Sequence, residues 1–412
     1  MKILFYSHTG QVSGAERMLL MILSRLDREA FEPLVVCPER GPLGKMASEL
    51  GVNVDSVSDL EARFTWRLDQ LLRYCKSFLG VIRHLRRTVV NKQPDLLHAN
   101  SIRAGLVATA ATIGLRTRVL WHLHDLLPRH PLSTAIRGFA AISSRTEMIA
   151  VSEAVARNFR GRWSGLMKDR VLVILNAIDL DKFQPDKTAK KKIRKQLRFR
   201  ENDLVVGMVG QLTPRKGQLE LLRAFSVALT ETPHAVLLVA GAPLFNRDHE
   251  YLALLKRCTS ELGINNKVRM LGARDDIDVI MQSLDLLVVN SIAEPFGLVI
   301  LEAMACGTPV LAAAVDGIPE IIEHGENGWL VPSGNEAAMA QALVKLNREP
   351  GLRERMAERG KQHVVEHFSA DRYLADLQMF YQSRTDSKLV QSSVESTSRH
   401  AESTNLAQIA VR

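Results

Sequence analysis

Two carboxylates at a fixed interval are the most suggestive chemical feature of the chain. Glu294 and Glu302 lie eight positions apart within NSIAEPFGLVILEAMACGTPVLA, residues 290–312. This segment predicts a loop, a helix and a strand, because Pro295 is tolerated in a first helical turn and Gly307 suits a helix end. Apolar residues between the two glutamates give the helix a buried side.

The interval limits what the two side chains can do together. Eight helical residues with a rise of about 1.5 Å each separate the carboxylates by roughly 12 Å, too far for one to relay a proton to the other. A sugar, a diphosphate and a ribose span about this length, and free N–H groups near Gly297 and Leu298 could bind the phosphates. From spacing alone, an amphipathic helix with solvated glutamates is an equally good interpretation.

A glycine-bounded loop carries the candidate cations, Arg215 and Lys216. Residues 210–217, GQLTPRKG, follow a predicted strand and precede a predicted helix, a position where N–H groups and a cation commonly bind phosphate. The glycine spacing and the Lys-Ser/Thr ending of a Walker A loop are missing, and a surface turn remains an alternative. The earlier loop Gly10–Gly14 predicts only the close approach of a ligand to the backbone.

A histidine pair ends another predicted strand in Trp121-His122-Leu123-His124-Asp125. Strand alternation places His122 and His124 on one side. A metal site is possible, but no third ligand of matching spacing is evident. We favour a histidine that bonds a substrate hydroxyl or holds a loop through Asp125.

The composition is that of an ordinary globular protein of 412 residues, 46% apolar and 24% charged, long enough for two domains. The N-terminal apolar run is too short for a signal peptide, and no run approaches the roughly 20 apolar residues of a membrane span. The cysteines show no metal-ligand spacing, so we predict free thiols in a reducing interior. The net charge of +9 favours anionic partners. Nucleic acid is not expected, because no helix-turn-helix, zinc or RNP signature occurs.

Alternating strand and helix patterns run through most of the chain and predict parallel sheets, with ligand sites beyond the carboxyl ends of the strands. Strands are predicted at residues 2–7, 32–37, 52–57, 96–99, 118–123, 148–151, 171–175, 204–209, 235–240, 267–271, 286–290, 309–312 and 328–331. We therefore predict an α/β protein of two Rossmann-like domains that face each other across a cleft. The N-terminal domain covers residues 1–178, and the C-terminal domain with its closing helices covers 179–382. A Ser/Thr-rich tail, 383–412, is predicted to be disordered.

Two basic segments have more than one interpretation. Residues 64–92 predict a long amphipathic helix or a pair of helices, whose basic face is either solvated or apposed to an anionic membrane surface. Residues 187–200 contain eight Lys or Arg and no acid. They predict a basic helix that opens the second domain, and a contribution to binding an anionic surface is the alternative.

Together these residues resemble the retaining, nucleotide-sugar-dependent glycosyltransferases of family 4, whose fold is the two-domain GT-B type. The resemblance extends to about residue 382, and its most specific element is the E-x7-E motif from Glu294 to Glu302. Supporting matches are Ser13 to Glu16, His124-Asp125, Ala150 to Glu153, Asn176 to Phe183 and Arg215 to Gly217.

The resemblance implies a role for each candidate residue. Glu294 would contact the donor sugar, Glu302 the ribose hydroxyls and His124 the transferring sugar. Lys216, with Arg215, would neutralise the diphosphate leaving group. Donor binding would be completed by Gly14 near the phosphates, by Arg274 in the turn 271–275 against the base, and by the backbone amides of Phe296, Gly297, Leu298 and Val299. His124, Glu294 and Lys216 are the expected catalytic residues.

The implied reaction is transfer of a hexose-type sugar from a UDP- or GDP-sugar to a glycan or lipid-linked acceptor, with retention of configuration. No metal or other cofactor is expected, because preorganised cations and N–H dipoles can stabilise the departing phosphate. The expected location is the cytoplasm, with possible peripheral contact at the inner membrane face. A non-catalytic carbohydrate-binding or scaffold subunit and a phosphorylase-type relative are the alternatives.

Overall fold

The protein consists of two α/β domains separated by a cleft, as the computed structural model shows for residues 1–60, 68–143, 145–243 and 246–383. Each domain has a central parallel sheet with helices on both faces. Parallel strands buried on both faces need nearly continuous apolar runs, and the wholly buried segment AVLLVA at 235–240 illustrates this. The predicted pair of Rossmann-like domains is confirmed.

In the described part of the N-terminal domain, seven strands form one sheet. They are β1 (Lys2–Tyr6), β2 (Glu32–Pro38), β3 (Asn53–Val57), β4 (Leu96–Ala99), β5 (Arg118–Leu123), β6 (Thr146–Ala150) and β7 (Val171–Val173). Their order across the sheet is β3-β2-β1-β4-β5-β6-β7, and all neighbours are parallel.

In the described part of the C-terminal domain, six strands form the second sheet. They are β8 (Leu204–Val209), β9 (Ala235–Ala240), β10 (Val268–Gly272), β11 (Leu286–Val289), β12 (Val310–Ala314) and β13 (Trp329–Pro332). Their order is β10-β9-β8-β11-β12-β13, again with parallel neighbours. Every strand predicted from the sequence is present in the two sheets, with ends that differ by at most two residues.

Helices connect the strands. In the first domain they are α1 (Gly14–Arg25), α2 (Leu43–Glu49), α3 (Leu68–Lys92), α4 (Ile102–Ala111), α5 (Pro131–Ile142), α6 (Glu153–Arg160) and α7 (Ser164–Met167). In the second they are α8 (Lys187–Gln196), α9 (Gln218–Ala228), α10 (Asn246–Glu261), α11 (Ile277–Ser283), α12 (Leu298–Ala305), α13 (Glu336–Arg348) and α14 (Pro350–His367), followed by α15 over residues 370–383. No described helix is both long and apolar enough to cross a membrane.

Some expectations need correction or fall outside the described residues. Pro295 does not lie in the first turn of α12, because the helix begins at Leu298 and Pro295 belongs to the preceding loop. The start of the basic segment, 64–67, and the tail from 384 onward lie outside the described residues.

The last helix, α15, packs against the first domain although it follows the second in sequence. Tyr373, Leu374, Leu377 and Tyr381 are buried in one apolar cluster with Ile3 and Phe5 of β1. A bridge between Ile178 and Ser369 sets the entry of the helix. The chain therefore ties its C-terminal region back to its N-terminal sheet.

Tyr381 also anchors a buried row of histidines. Its hydroxyl lies 2.6 Å from Nδ1 of His98, and Nε2 of His98 lies 3.2 Å from Nδ1 of His122. The ring of His122 in turn packs against that of His124, with 3.9 Å between ring centroids and a tilt of 40° between the ring planes. Burial lowers the pKa of His98 and of His124 to about 3, and lowers that of His122 well below its usual value. All three rings are therefore neutral at physiological pH.

These neutral histidines predict acid sensitivity. Each pKa is lower in the folded state than in the unfolded chain, so the unfolded state binds more protons once the pH falls below the usual value of about 6.5. Stability is fully present above that pH and falls as the pH drops toward 3, by up to roughly 4 kcal/mol per pH unit when all three rings contribute.

Denaturant unfolding of the wild type and His98→Gln between about pH 4.5 and pH 6 measures this effect. Removal of one histidine should lower the slope of the unfolding free energy against pH by the amount that corresponds to about one proton. The matched control is His234→Gln, which changes an exposed ring. Equal slopes for the wild type and His98→Gln would contradict the prediction.

Candidate active site

The loops singled out from the sequence meet where each sheet reverses its strand order. That point lies between β1 and β4 in the first sheet and between β8 and β11 in the second. Loops diverge there and leave a crevice beyond the carboxyl ends of the strands. The loop 210–217 follows β8, the loop 290–297 follows β11, and the loop 7–13 follows β1. Strand order thus brings together residues that are far apart in sequence.

A tight turn presents Lys216 to this crevice. Pro214–Lys216 forms a single 3₁₀ turn, and Gly217 ends it in the left-handed region with φ of +69°. A Cβ at Gly217 would lie 2.0 Å from the carbonyl oxygen of Asn290, so only glycine allows the loops after β8 and β11 to touch. The Asn290 amide completes the contact by donating to the Gly217 carbonyl at 3.0 Å.

Lys216 and Glu294 form a nearly buried ion pair. Their side chains are 15% and 8% exposed, and Nζ of Lys216 lies 2.5 Å from Oε2 of Glu294. The hydroxyl of Ser291 donates to the same oxygen at 2.9 Å. The Glu294 backbone N–H donates to Oδ2 of Asp316 at 2.9 Å. Both the side chain and the backbone of Glu294 are therefore held in place.

The start of α12 faces the same crevice. Gly297 precedes the helix with φ of +109°, a conformation that favours glycine. The first N–H groups of a helix have no partner within it and carry the positive end of the helix dipole. Those of Leu298 and Val299 can therefore bind an anion, while the side chain of Phe296 is buried beneath the loop.

Glu302 lies one helical turn after Leu298, on the buried side of α12. It is 8% exposed, and Nη1 of Arg17 in the first domain lies 3.5 Å from its Oε1. Burial raises the pKa of Glu302, while the positive charges of Arg17, Lys182 and Lys216 act to lower it. The carboxylate is therefore poorly solvated and available to bond neutral hydroxyl groups.

The two domains are in contact around this site. Gly14 begins α1, and a Cβ built on it would meet the side chain of Leu298 at 3.5 Å. Ser13 caps that helix in a capping box with Glu16, which fixes the approach of the loop. Gly14 therefore lies against the Leu298 side chain, at the residue where α12 begins.

His124 lies at the end of β5 on the N-terminal side of the cleft. It is 9% exposed, and its Nε2 has no hydrogen-bond partner among the described residues. Asp125 is exposed next to it and is within electrostatic range of Arg215, Arg103 and Glu294. Asp125 thus lies close enough to Glu294 and Arg215 to feel their charges, and the neutral ring of His124 is adjacent to Asp125 in sequence.

The two remaining sequence candidates are both tied to neighbouring residues. Nη1 of Arg215 donates to the carbonyl of Ala293 at 3.1 Å, and its own carbonyl accepts from Ile292 at 2.8 Å. Arg274 forms two hydrogen bonds with Asp276, at 2.8 and 2.6 Å, on the surface beyond β10. No cluster of three or more His, Cys, Asp or Glu in the described part of the chain could hold a metal ion.

Sequence reasoning missed several residues that the structure brings to the site. Arg17 follows Gly14 by one helical turn, so its orientation toward the cleft was accessible from helical periodicity. Ser291 and Asp316 support Glu294, but small polar residues in loops give no comparable signal.

Comparison with known proteins supports this architecture. Residues 12–182 match the family model "Glycosyltransferase Family 4", and residues 189–363 match "Glycosyl transferases group 1". The crystal structure of Anabaena Alr3699/HepE in complex with UDP and glucose is 28% identical, with a TM-score of 0.80 and coverage of 93% of this chain and 100% of that one.

Curated relatives are more distant or align over less of the chain. D-inositol 3-phosphate glycosyltransferase of Corynebacterium glutamicum (strain R) is 26% identical, over 86% of this chain and 88% of that protein. N-acetyl-alpha-D-glucosaminyl L-malate synthase of Bacillus anthracis is 30% identical, and the alignment spans 46% of this chain and about half (48%) of that relative. From its two matched domains and its GT-B fold, the chain belongs to the GT-B glycosyltransferases.

Proposed function

We propose that the protein transfers a hexose-type sugar from a UDP- or GDP-sugar to a glycan or lipid-linked acceptor, with retention of configuration. The observation that carries this proposal is the Lys216–Glu294 pair at the start of α12, with Glu302 on the same helix. Glu294, the N–H groups at the start of α12 and Glu302 follow one another along the chain, as the sugar, the diphosphate and the ribose do in a nucleotide-sugar. Lys216 supplies a cation for the diphosphate. The structures of the relative HepE with UDP and with UDP-glucose favour UDP as the carrier.

In the proposed reaction, charge develops on the departing diphosphate. Lys216, with Arg215, and the N–H groups of Leu298 and Val299 would stabilise that charge. Glu294 would bond hydroxyls of the sugar, and Glu302 would bond those of the ribose. His124, neutral because burial lowers its pKa to about 3, would accept or donate a hydrogen bond to the transferring sugar.

Retention is proposed to follow a front-face route without a covalent enzyme intermediate. The acceptor oxygen bonds to the anomeric carbon as the bond from that carbon to the phosphate oxygen breaks, and the acceptor proton passes to the released diphosphate. A retaining reaction through a covalent intermediate needs a carboxylate at the anomeric carbon. Glu294 is held by Lys216 and Ser291 instead, which supports the front-face route. No metal is required in this scheme, because protein groups supply the positive charge.

The site assignment predicts that Lys216→Ala and Glu302→Ala each lower the transfer rate at least tenfold, equivalent to about 1.4 kcal/mol. Removal of Lys216 takes away the cation and leaves Glu294 buried without it. The measurement is UDP release from UDP-sugars with and without acceptor. The matched control is Lys345→Ala, which breaks an exposed ion pair in which Nζ of Lys345 lies 2.7 Å from Oε1 of Glu349. Near wild-type turnover in either site variant would refute the assignment.

The same measurement on the wild type separates the alternative functions. Phosphate-dependent UDP release by the wild type would identify a phosphorylase, and no UDP release at all would identify a scaffold.

The donor assignment predicts a selective thermal shift. A ligand that binds only the folded state stabilises it by about 2.7 kcal/mol at one hundred times its dissociation constant. We expect UDP to raise the melting temperature more than GDP or ADP does, and Glu302→Ala to reduce the UDP shift because the ribose loses its partner. A larger shift with GDP would transfer the assignment to GDP-sugars, and no shift with any nucleotide would contradict the donor site.

We further propose peripheral contact with an anionic membrane surface, on the cytoplasmic side. Helix α3 buries Val81, Leu85 and Val89 and leaves Arg83 and Arg87 exposed. The basic run after residue 187 contributes less positive charge to a membrane-binding surface than its sequence suggests, because Lys190 and Arg194 bind Asp285 within the domain. The exposed face of α3 is therefore the main candidate surface.

This surface predicts flotation of the protein with anionic liposomes at low salt, weakened in Arg83→Glu and Arg87→Glu because like charges repel. Arg223→Glu, at a half-exposed residue of the second domain, is the control. If the wild type stays with the unbound fraction at low salt, the membrane proposal fails.

A further inference from the structure

A short segment of the second domain reaches across the cleft to helix α6 of the first. Both carboxylate oxygens of Glu320 accept hydrogen bonds, one from the N–H of Glu153 and one from the N–H of Ala154, each at 2.7 Å. These are the first two N–H groups of α6, which have no partner within the helix. A carboxylate is also favoured there by the positive end of the helix dipole.

Ser152 makes a second contact between the domains at the same place. Its side chain is fully buried, and its Oγ caps α6 by accepting from the N–H of Val155 at 3.1 Å. The same hydroxyl donates to the carbonyl of Pro295 at 2.6 Å. Pro295 is the residue next to Glu294, so this bond fixes the backbone beside the candidate sugar-binding carboxylate.

The segment that carries Glu320 also holds Glu294 directly. Asp316 accepts from the Glu294 N–H, and the N–H of Gly317 donates to the Glu294 carbonyl at 3.1 Å. A Cβ at Gly317 would lie 2.4 Å from the Pro295 carbonyl oxygen, so the two segments are packed backbone against backbone. Displacement of Glu320 would therefore be transmitted to Glu294 over four residues of chain.

We propose that Ser152 and Glu320 are positioning residues that couple contact between the domains to the placement of Glu294. When the domains meet, the start of α6 receives its two missing acceptors and the Pro295 carbonyl receives its donor. When they separate, water replaces these partners and the Glu294 loop loses its support from the first domain. This inference rests on the proposed function, since it assumes that Glu294 acts on the donor sugar.

The kinetic test uses Ser152→Ala, Ser152→Thr and Glu320→Gln in the full-length protein. We expect Ser152→Ala and Glu320→Gln to lower kcat about tenfold while the dissociation constant of UDP, measured by calorimetry, changes less than about twofold. UDP would be held mainly by the second domain, so its affinity does not depend on this contact. Ser152→Thr keeps a hydroxyl and should restore kcat.

Glu336→Gln provides the matched control, because Glu336 bonds Arg223 at 3.3 Å on an exposed surface of the same domain. It should leave kcat unchanged. A kcat within about twofold of wild type in both Ser152→Ala and Glu320→Gln would overturn the inference. An equal loss of UDP affinity would also overturn it, since it would indicate a general structural defect.

A second measurement does not depend on catalysis. Small-angle X-ray scattering of the nucleotide-free protein should give a larger radius of gyration for the Ser152→Ala/Glu320→Gln double variant than for the wild type and Glu336→Gln. Equal radii would overturn the inference whether or not the enzyme is active. If the wild type transfers no sugar but the radii differ, the proposed function fails while the contact between the domains stands.

Discussion

The site depends on one nearly buried ion pair, Lys216 with Glu294. Removing two charges from water costs several kcal/mol per ion, and a pair of this kind is often no more stabilising than apolar residues of the same size. Stability alone is therefore a weak reason for its presence. The pair is better explained by ligand binding, because an anionic ligand that enters the crevice would meet a cation that is already desolvated and oriented. Because both groups are held in advance, little reorganisation is needed when charge develops on a leaving group.

The geometry of this pair follows from backbone constraints more than from the side chains. Gly217 lets two loops touch, Gly297 turns the chain into α12, and Gly317 allows close packing against Pro295. Each position excludes a Cβ by contact or by conformation, so the loops have few alternative arrangements. The strand order then places them at the switch point. A substitution at any of these glycines would move the cation, the carboxylate or the helix start relative to the others.

Much of this arrangement could be predicted from the sequence, because the residues with candidate chemistry lie in loops that directly follow recognisable strands. Alternating strands and helices gave the two domains, and the residues after β8 and β11 were recognisable as ligand loops from their glycines and charges. The direct contact of Lys216 with Glu294 could not be predicted in the same way, since it depends on β8 and β11 being neighbours in the sheet. The return of α15 to the first domain was equally inaccessible. Its apolar side is evident from periodicity, but the surface that it covers is a matter of tertiary packing.

The buried row of side chains beneath the cleft bears on the proposed role of His124. Below the cleft, Tyr381, His98 and His122 form a row of uncharged groups that ends against the His124 ring. Asp125 follows His124 in sequence and is within electrostatic range of Glu294 and Arg215. The His124 ring therefore packs against a row of side chains that extends to α15, and burial keeps the ring neutral. In the proposed reaction, His124 is therefore a fixed hydrogen-bonding group and not an acid or base that titrates near neutral pH. Packing of this kind fixes the direction of a hydrogen bond to a ligand before the ligand binds, as a preorganised site requires.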